Sequence, residues 1–168
     1  MKDTVLIGLG NTLFSDEGIG MHVVHRLLES GDLPQNIDCI EMGTGGMRII
    51  HAIAGRRKAV FVDCARMGKA PGTMKRFVPG GARSRKKLPG FSLHEGDLLS
   101  ILEVARQAVD CPEEIVIFGI EPGSVAPGEN LSRELADRLA EYSTAIMAEL
   151  KRAPKKSRKN GHSRAQAK

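Results

Sequence analysis

Hydrophobic and polar positions along the chain switch between two periods, and the switches mark the elements. Val5, Leu6 and Ile7 form a short buried run that breaks at Gly8 and Gly10, and a helix resumes after Asp16. Over residues 18–30, Ile19, Val23, Leu27 and Leu28 recur at helical spacing, and Gly31 supplies a stop. Residues 37–42 read as a second strand that runs into the glycine-rich loop Gly43, Thr44, Gly45, Gly46. Residues 47–54 give a short helix closed by Gly55. Residues 58–63 are an uninterrupted apolar strand ending in an aspartate, and a strand apolar on both faces belongs in the middle of a helix-covered sheet. Residues 73–78 form a strand with Lys75 and Arg76 outward, suited to an edge. Ser92, Leu93, His94 and Glu95 spell a capping box ahead of the helical pattern Leu98, Leu99, Leu102, Ala105, which places His94 in the first turn of a helix. Residues 114–120 are a further buried strand, and Ser132 opens a long last helix with Leu135, Leu139, Ile146 and Leu150 inward. The order βαβαββαβα calls for an α/β fold, a three-layer α/β/α sandwich around a mostly parallel five-stranded sheet, with residues 73–78 as its antiparallel edge strand.

Composition adds boundaries to this picture. With 168 residues and 41% hydrophobic content the chain supports one domain with a genuine core. No apolar run reaches the roughly 20 residues that span a bilayer, and the start of the chain lacks the apolar region and cleavage site of a signal peptide, so a soluble cytoplasmic protein is expected. Cys39, Cys64 and Cys111 are odd in number and widely spaced, which points to reduced thiols rather than a disulfide framework or a thiolate zinc site. The formal charge of +5 is unevenly placed: eight of the 25 basic side chains and none of the 20 acids lie from Lys151 onward, leaving 17 against 20 in the first 150 residues. The expected organisation is a single domain over residues 1–152 and a basic, disordered tail over residues 153–168.

Candidate chemistry gathers at the strand ends. Glu17, Asp63 and His94 each fall just past a strand's carboxyl end or in the first turn of a helix, so a parallel sheet can bring them to one rim. Two carboxylates and an imidazole make a three-ligand set for a borderline divalent cation, with positions left open for water or substrate. The same residues also have a plainer reading, as acids favoured by helix dipoles and a histidine within a cap. Asp16 reads as an N-cap. Cys64 adjoins Asp63, but nothing near it in sequence activates a thiol. His22, His25 and His51 fall in helices as surface or boundary residues, and no GxSxG elbow appears. The glycines at 8 and 10 invite a dinucleotide reading, which fails because Leu13 stands where the third glycine must be. The basic tail and the loop carrying Arg83, Arg85, Lys86 and Lys87 raise a salt-sensitive nucleic-acid contact. A solvated tail is the simpler account, and neither nucleic acid nor membrane is expected as a partner.

Five stretches, GLGNTLFSDEGIG, EMGTGG, VDCARMGKAPGT, SLHEGDL and FGIEPGSVAPGENLS, spread over residues 4–150, resemble the motifs of the hydrogenase maturation endopeptidases. Those are cytoplasmic proteases that trim the large subunit of nickel-iron hydrogenases. The resemblance implies that Glu17, Asp63 and His94 match the family's metal ligands one by one. It also implies that Glu41 stands where the family commonly has an aspartate implicated in activity, one methylene longer here, so that Glu17, Asp63, His94 and Glu41 form the expected catalytic set of an aspartic-type endopeptidase. The implied partner is a nickel-iron hydrogenase large subunit precursor. Its C-terminal extension would be removed after nickel insertion, by a cut after a His or Arg beyond the last metal-binding cysteine motif. The implied metal is a divalent ion, nickel presented by the substrate, for which zinc or cadmium could substitute in vitro. The GLGN opening is shared with ester-cleaving enzymes acting on peptidyl-tRNA. They need a base histidine soon after it, with His22 the nearest candidate, and the rest of the chain does not match them.

Overall fold

The protein is described from a computed structural model covering residues 2–79, 92–93 and 98–153. The expected cap at His94 and Glu95, the basic loop with Arg83 to Lys87, and the tail beyond Ala153 lie outside the described residues. Strands run over Thr4–Leu9 (β1), Ile37–Gly43 (β2), Lys58–Arg66 (β3), Met74–Phe77 (β4), Ser92–Leu93 (β5) and Glu114–Ile120 (β6). Helices run over Ile19–Ser30 (α1), Arg48–Ile53 (α2), Leu98–Ala108 (α3), Arg133–Ala136 (α4) and Leu139–Lys151 (α5), and a 3-10 turn over Ser15–Gly18 leads into α1.

The main sheet has the order β2-β1-β3-β6-β4, parallel except for β4, which pairs antiparallel with β6 and closes one edge as its charged pattern requires. The two-residue β5 pairs antiparallel with the end of β3, an addition to the five strands expected. Side chains alternate across the strands and sort into two cores. Leu6, Val60, Val62, Val116 and Phe118 pack against α1 and α5, while Val5, Ile7, Ala59, Phe61 and Ile117 pack against α2 and α3. Burial of both sheet faces is what makes β1, β3 and β6 apolar throughout.

Three elements depart from expectation. β3 does not stop at Asp63; Ala65 and Arg66 pair with β5, so the aspartate lies inside the strand and is only 5% exposed. The last helix is interrupted between α4 and α5, where Arg138 leaves helical geometry and donates to the carbonyl oxygen of Gly72 at 2.9 Å. In α1 the buried stripe is Ile19, Val23, Val24 and Leu27, and Leu28 falls beyond its edge into solvent.

Consecutive crossovers run in opposite directions, from β1 to β2 through α1 and then from β2 back past β1 to β3 through α2. The crevice at the carboxyl ends of β1 and β3 is therefore the topological switch point of the sheet. Gly20 lets α1 sit directly on that crevice. A Cβ there would stand 2.2 Å from the carbonyl oxygen of Val62 and 2.3 Å from that of Leu9. The close helix-strand approach sought at position 13 is thus supplied seven residues later.

Candidate active site at the sheet switch point

Gly10 makes the turn out of β1. Its φ of 125° is open to glycine, its N–H donates to the carbonyl oxygen of Gly43 at 2.9 Å, and a Cβ would lie 1.9 Å from the carbonyl oxygen of Glu17. The turn thereby folds back on itself and delivers Glu17 to the crevice. Asp63 reaches the same place from β3: Phe61, two residues earlier, belongs to the α2 and α3 core, so Asp63 is on that same side, beyond the core and toward the strand's carboxyl end. Glu17 and Asp63 line one cleft together with Asn11, Gly43 and Thr44, and its apolar wall comes from Leu9, Ile49, Leu98 and Ile101.

The electrostatics follow from burial and like charge. Burial pushes the Asp63 carboxyl up to about 7, and the Glu17 charge pushes the same way, against a backbone hydrogen bond involving Cys64. Such a pair favours a proton or a cation. Among the described residues, no group of three or more His, Cys, Asp or Glu is placed to hold a metal ion. The two carboxylates therefore suit a hard or borderline cation in kind, and a third donor has to come from elsewhere. His94, the imidazole expected there, lies outside the described residues, which resume on its flanks with Leu93 opposite Ala65 and with Leu98 in the cleft wall.

The structure does not bring Glu41 to the cleft. Its neighbours Ile37 and Cys39 on the same side of β2 belong with the α1 core, and its Oε1 lies 3.0 Å from Nδ1 of His25 on α1. The added methylene thus reaches a helix on the other face of the sheet. His22 is half-buried, its pKa lowered by burial and by His25, and it does not line the cleft either. Cys64 is 2% exposed and on the opposite face from Asp63, and burial with the nearby Asp63, Glu17 and Asp16 charges pushes its thiol up to about 12, which leaves no thiolate to act as nucleophile.

Asp16 is no N-cap. It is fully buried, and its carboxylate accepts backbone N–H groups from Gly123 and Ser124 at 2.8 Å and from Ser132 at 2.7 Å. Glu121, 7% exposed, accepts from the N–H groups of Met67 at 2.7 Å and Lys69 at 3.1 Å. Neither anchoring role was readable in sequence, because each partner lies at least 50 residues away. The apolar wall was equally hidden: Ile49, Leu98 and Ile101 carry the same helical spacing as any core position. Asn11 and Thr44 gave a weak signal, as polar residues beside glycines at strand ends.

A parallel α/β sheet whose switch-point crevice holds two carboxylates, one of them buried, defines a class of site-at-the-rim α/β sandwich. Comparison with known proteins narrows that class. The model of the hydrogenase maturation protease family matches residues 21–149, and the chain belongs to that family. The match takes in Asp63 and Glu41 and opens just after Glu17. The chain is 27% identical over 142 residues to the hydrogenase expression/formation protein HupD of Thiocapsa roseopersicina, covering 82% of this chain and 62% of that one. It is 29% identical over 128 residues to the hydrogenase 2 maturation protease of Escherichia coli, covering 73% and 75%. The hydrogenase maturating endopeptidase HybD from E. coli superposes with a TM-score of 0.74 at 25% identity, covering 89% of this chain and 92% of that one. The chain thus spans less than two thirds of the length of the Thiocapsa relative.

Proposed function

We propose that this protein is an endopeptidase that removes the C-terminal extension of a nickel-iron hydrogenase large subunit precursor after nickel insertion, cutting after a His or Arg beyond the last metal-binding cysteine motif. The observation that carries this reading is the convergence of Glu17 and Asp63 on one cleft at the switch point, in a chain of the hydrogenase maturation protease family.

In this reading Glu17 and Asp63, with His94 as the third donor, face the nickel that the precursor presents, and zinc or cadmium stands in for it in vitro. A divalent ion there would polarise a carbonyl or a water for hydrolysis. The chain's own residues prepare the place. Asp63, with its pKa near 7, holds a proton in the absence of a cation and can release it near neutral pH as positive charge arrives. Leu9, Ile49, Leu98 and Ile101 exclude water from the cleft's wall, which strengthens every charge interaction inside it. The loop with Gly43, Gly45 and Gly46, all at positive φ, borders the cleft and can rearrange around a peptide. No described helix is long and apolar enough to cross a membrane, and the proposed place of action is the cytoplasm. Glu41, bonded to His25 on the other face, has no part in the bond-breaking step of this scheme.

The test is intact-mass analysis of a large subunit precursor, nickel-loaded and nickel-free, after incubation with the protein and with Glu17→Gln. Loss of a C-terminal peptide from the loaded precursor alone, reduced by Glu17→Gln on the order of 10³-fold or more, is the expected result. Cleavage that ignores nickel, or survives Glu17→Gln, would overturn it.

A further inference from the structure

Asp16 and Glu121 are two buried carboxylates near the carboxyl rim that the scheme above leaves unused. Each binds backbone N–H groups of a different segment. Together they tie the segment 121–132, which follows β6, in two directions. Asp16 fastens it to the turn that carries Glu17, and Glu121 fastens it to the chain just beyond β3, four residues past Asp63. Ser15 adds a third tie. Its N–H donates to the carbonyl oxygen of Gly128 and its hydroxyl to that of Ala126, both at 2.6 Å, while its backbone sits at φ 44°, the only described non-glycine residue at positive φ. A strained residue of that kind persists where its surroundings over-determine it.

The brace answers a mechanical need. Glu17 and Asp63 repel one another, and a turn free to move would swing Glu17 toward water. Hydrogen bonds to a carboxylate are short, directional and about twice as strong as neutral ones, and three of them on Asp16 leave it no other comfortable place. We infer that Asp16 is a positioning residue: it locks the turn over Ser15–Gly18 to the 121–132 segment so that Glu17 stays opposed to Asp63. The inference rests on the proposed function for its kinetic consequence, but not for its geometry.

The test is Asp16→Asn, which replaces one acceptor oxygen by an NH2 group facing N–H donors. Processing of the nickel-loaded precursor is expected to lose about 10- to 100-fold in kcat with KM within about threefold. Arg76→Ala, on the edge strand β4, serves as the comparison for a plain loss of stability. A kcat equal to wild type, or a loss matched by an Arg76→Ala enzyme of equal Tm, overturns the inference. Should Asp16→Asn fail to fold, Glu121→Gln loosens the other anchor, and an unchanged kcat there overturns it as well. Amide NMR of the protein alone separates the two readings. If the wild type cuts no precursor the proposed function fails, while the inference still stands or falls on the Glu17 amide, which must shift in Asp16→Asn with faster hydrogen exchange at Gly123 and Ser124.

Discussion

One strand, β3, carries a buried charge at its start and another near its carboxyl end, and the two ends are treated in opposite ways. Lys58 at its start is fully buried, yet its Nζ donates to Oε1 and the carbonyl oxygen of Glu149, both at 2.8 Å, and to the carbonyl oxygen of Arg152 at 3.2 Å. The other carboxylate oxygen of Glu149 accepts from Nε of Arg76 at 2.8 Å and from a guanidinium nitrogen of Arg152 at 3.1 Å. Burial alone would raise the Glu149 pKa, but these hydrogen bonds and charges prevail and hold it at about 2. Five residues along the strand, Asp63 has an acid for a neighbour and is pushed the other way. The difference teaches where to look for work: the fold neutralises a buried charge where it needs only stability, and, among the described residues, supplies no opposite charge to the one at the rim.

Breaking the compensated end should have the larger effect on folding. Lys58→Met strands the Oε1 of Glu149 and two carbonyl oxygens, and is expected to cost about 3 kcal/mol or more in urea unfolding while processing per folded molecule stays level. A drop in turnover with unchanged stability would erase the distinction between the two ends.

Next in size is the pH dependence of stability in metal-free protein, where the ends should pull in opposite directions. Asp63, raised from its ordinary 3.8 to about 7, contributes stability that is full below about 4 and is lost as pH rises through about 7. Glu149, lowered from 4.5 to about 2, contributes stability present above about 4.5 and lost as pH falls through about 2. Urea unfolding across pH should therefore lose its upper slope in Asp63→Asn and its acid slope in Glu149→Gln. An upper slope that survives Asp63→Asn would mean the rim acid is compensated after all.

The smallest effect sharpens the comparison on the two faces of the rim. Cys64→Ala should leave processing within about twofold, since the thiol faces the α1 core, and native Cys64 should resist alkylation until denaturant is added. Loss of activity on that substitution would move the chemistry to the other face.

The architecture was legible because it rests on local signals. Apolar runs, helix stops such as Gly31 and the charged edge of β4 each report their own neighbourhood, and the element order, the central place of β3 and the antiparallel edge follow from them. Glu17 and Asp63 were legible for the same reason: strand ends in a parallel sheet share a rim whatever their separation in sequence. What escaped were facts of side-chain direction and long-range partnering. Whether an acid on β2 faces the cleft depends on the strand's parity against its cores, and Glu41 falls on the α1 side. Whether Asp16 caps its own helix or a distant loop depends on what folds over it. The buried pair of Lys58 and Glu149 lies 91 residues apart in the chain, and no local pattern joins the two.

Gly20 has a consequence for anyone reading natural variants of this gene. It is no acid, binds nothing and sits in a helix where alanine is normally the better residue, yet carbonyl oxygens of two strands leave it no room for a methyl group. A Gly20→Ala allele would look conservative and would pry the crossover helix off the strand ends that frame the cleft. Screens for inactivating lesions should find it among the severe ones, mapped to a position that a search for reactive side chains would never visit.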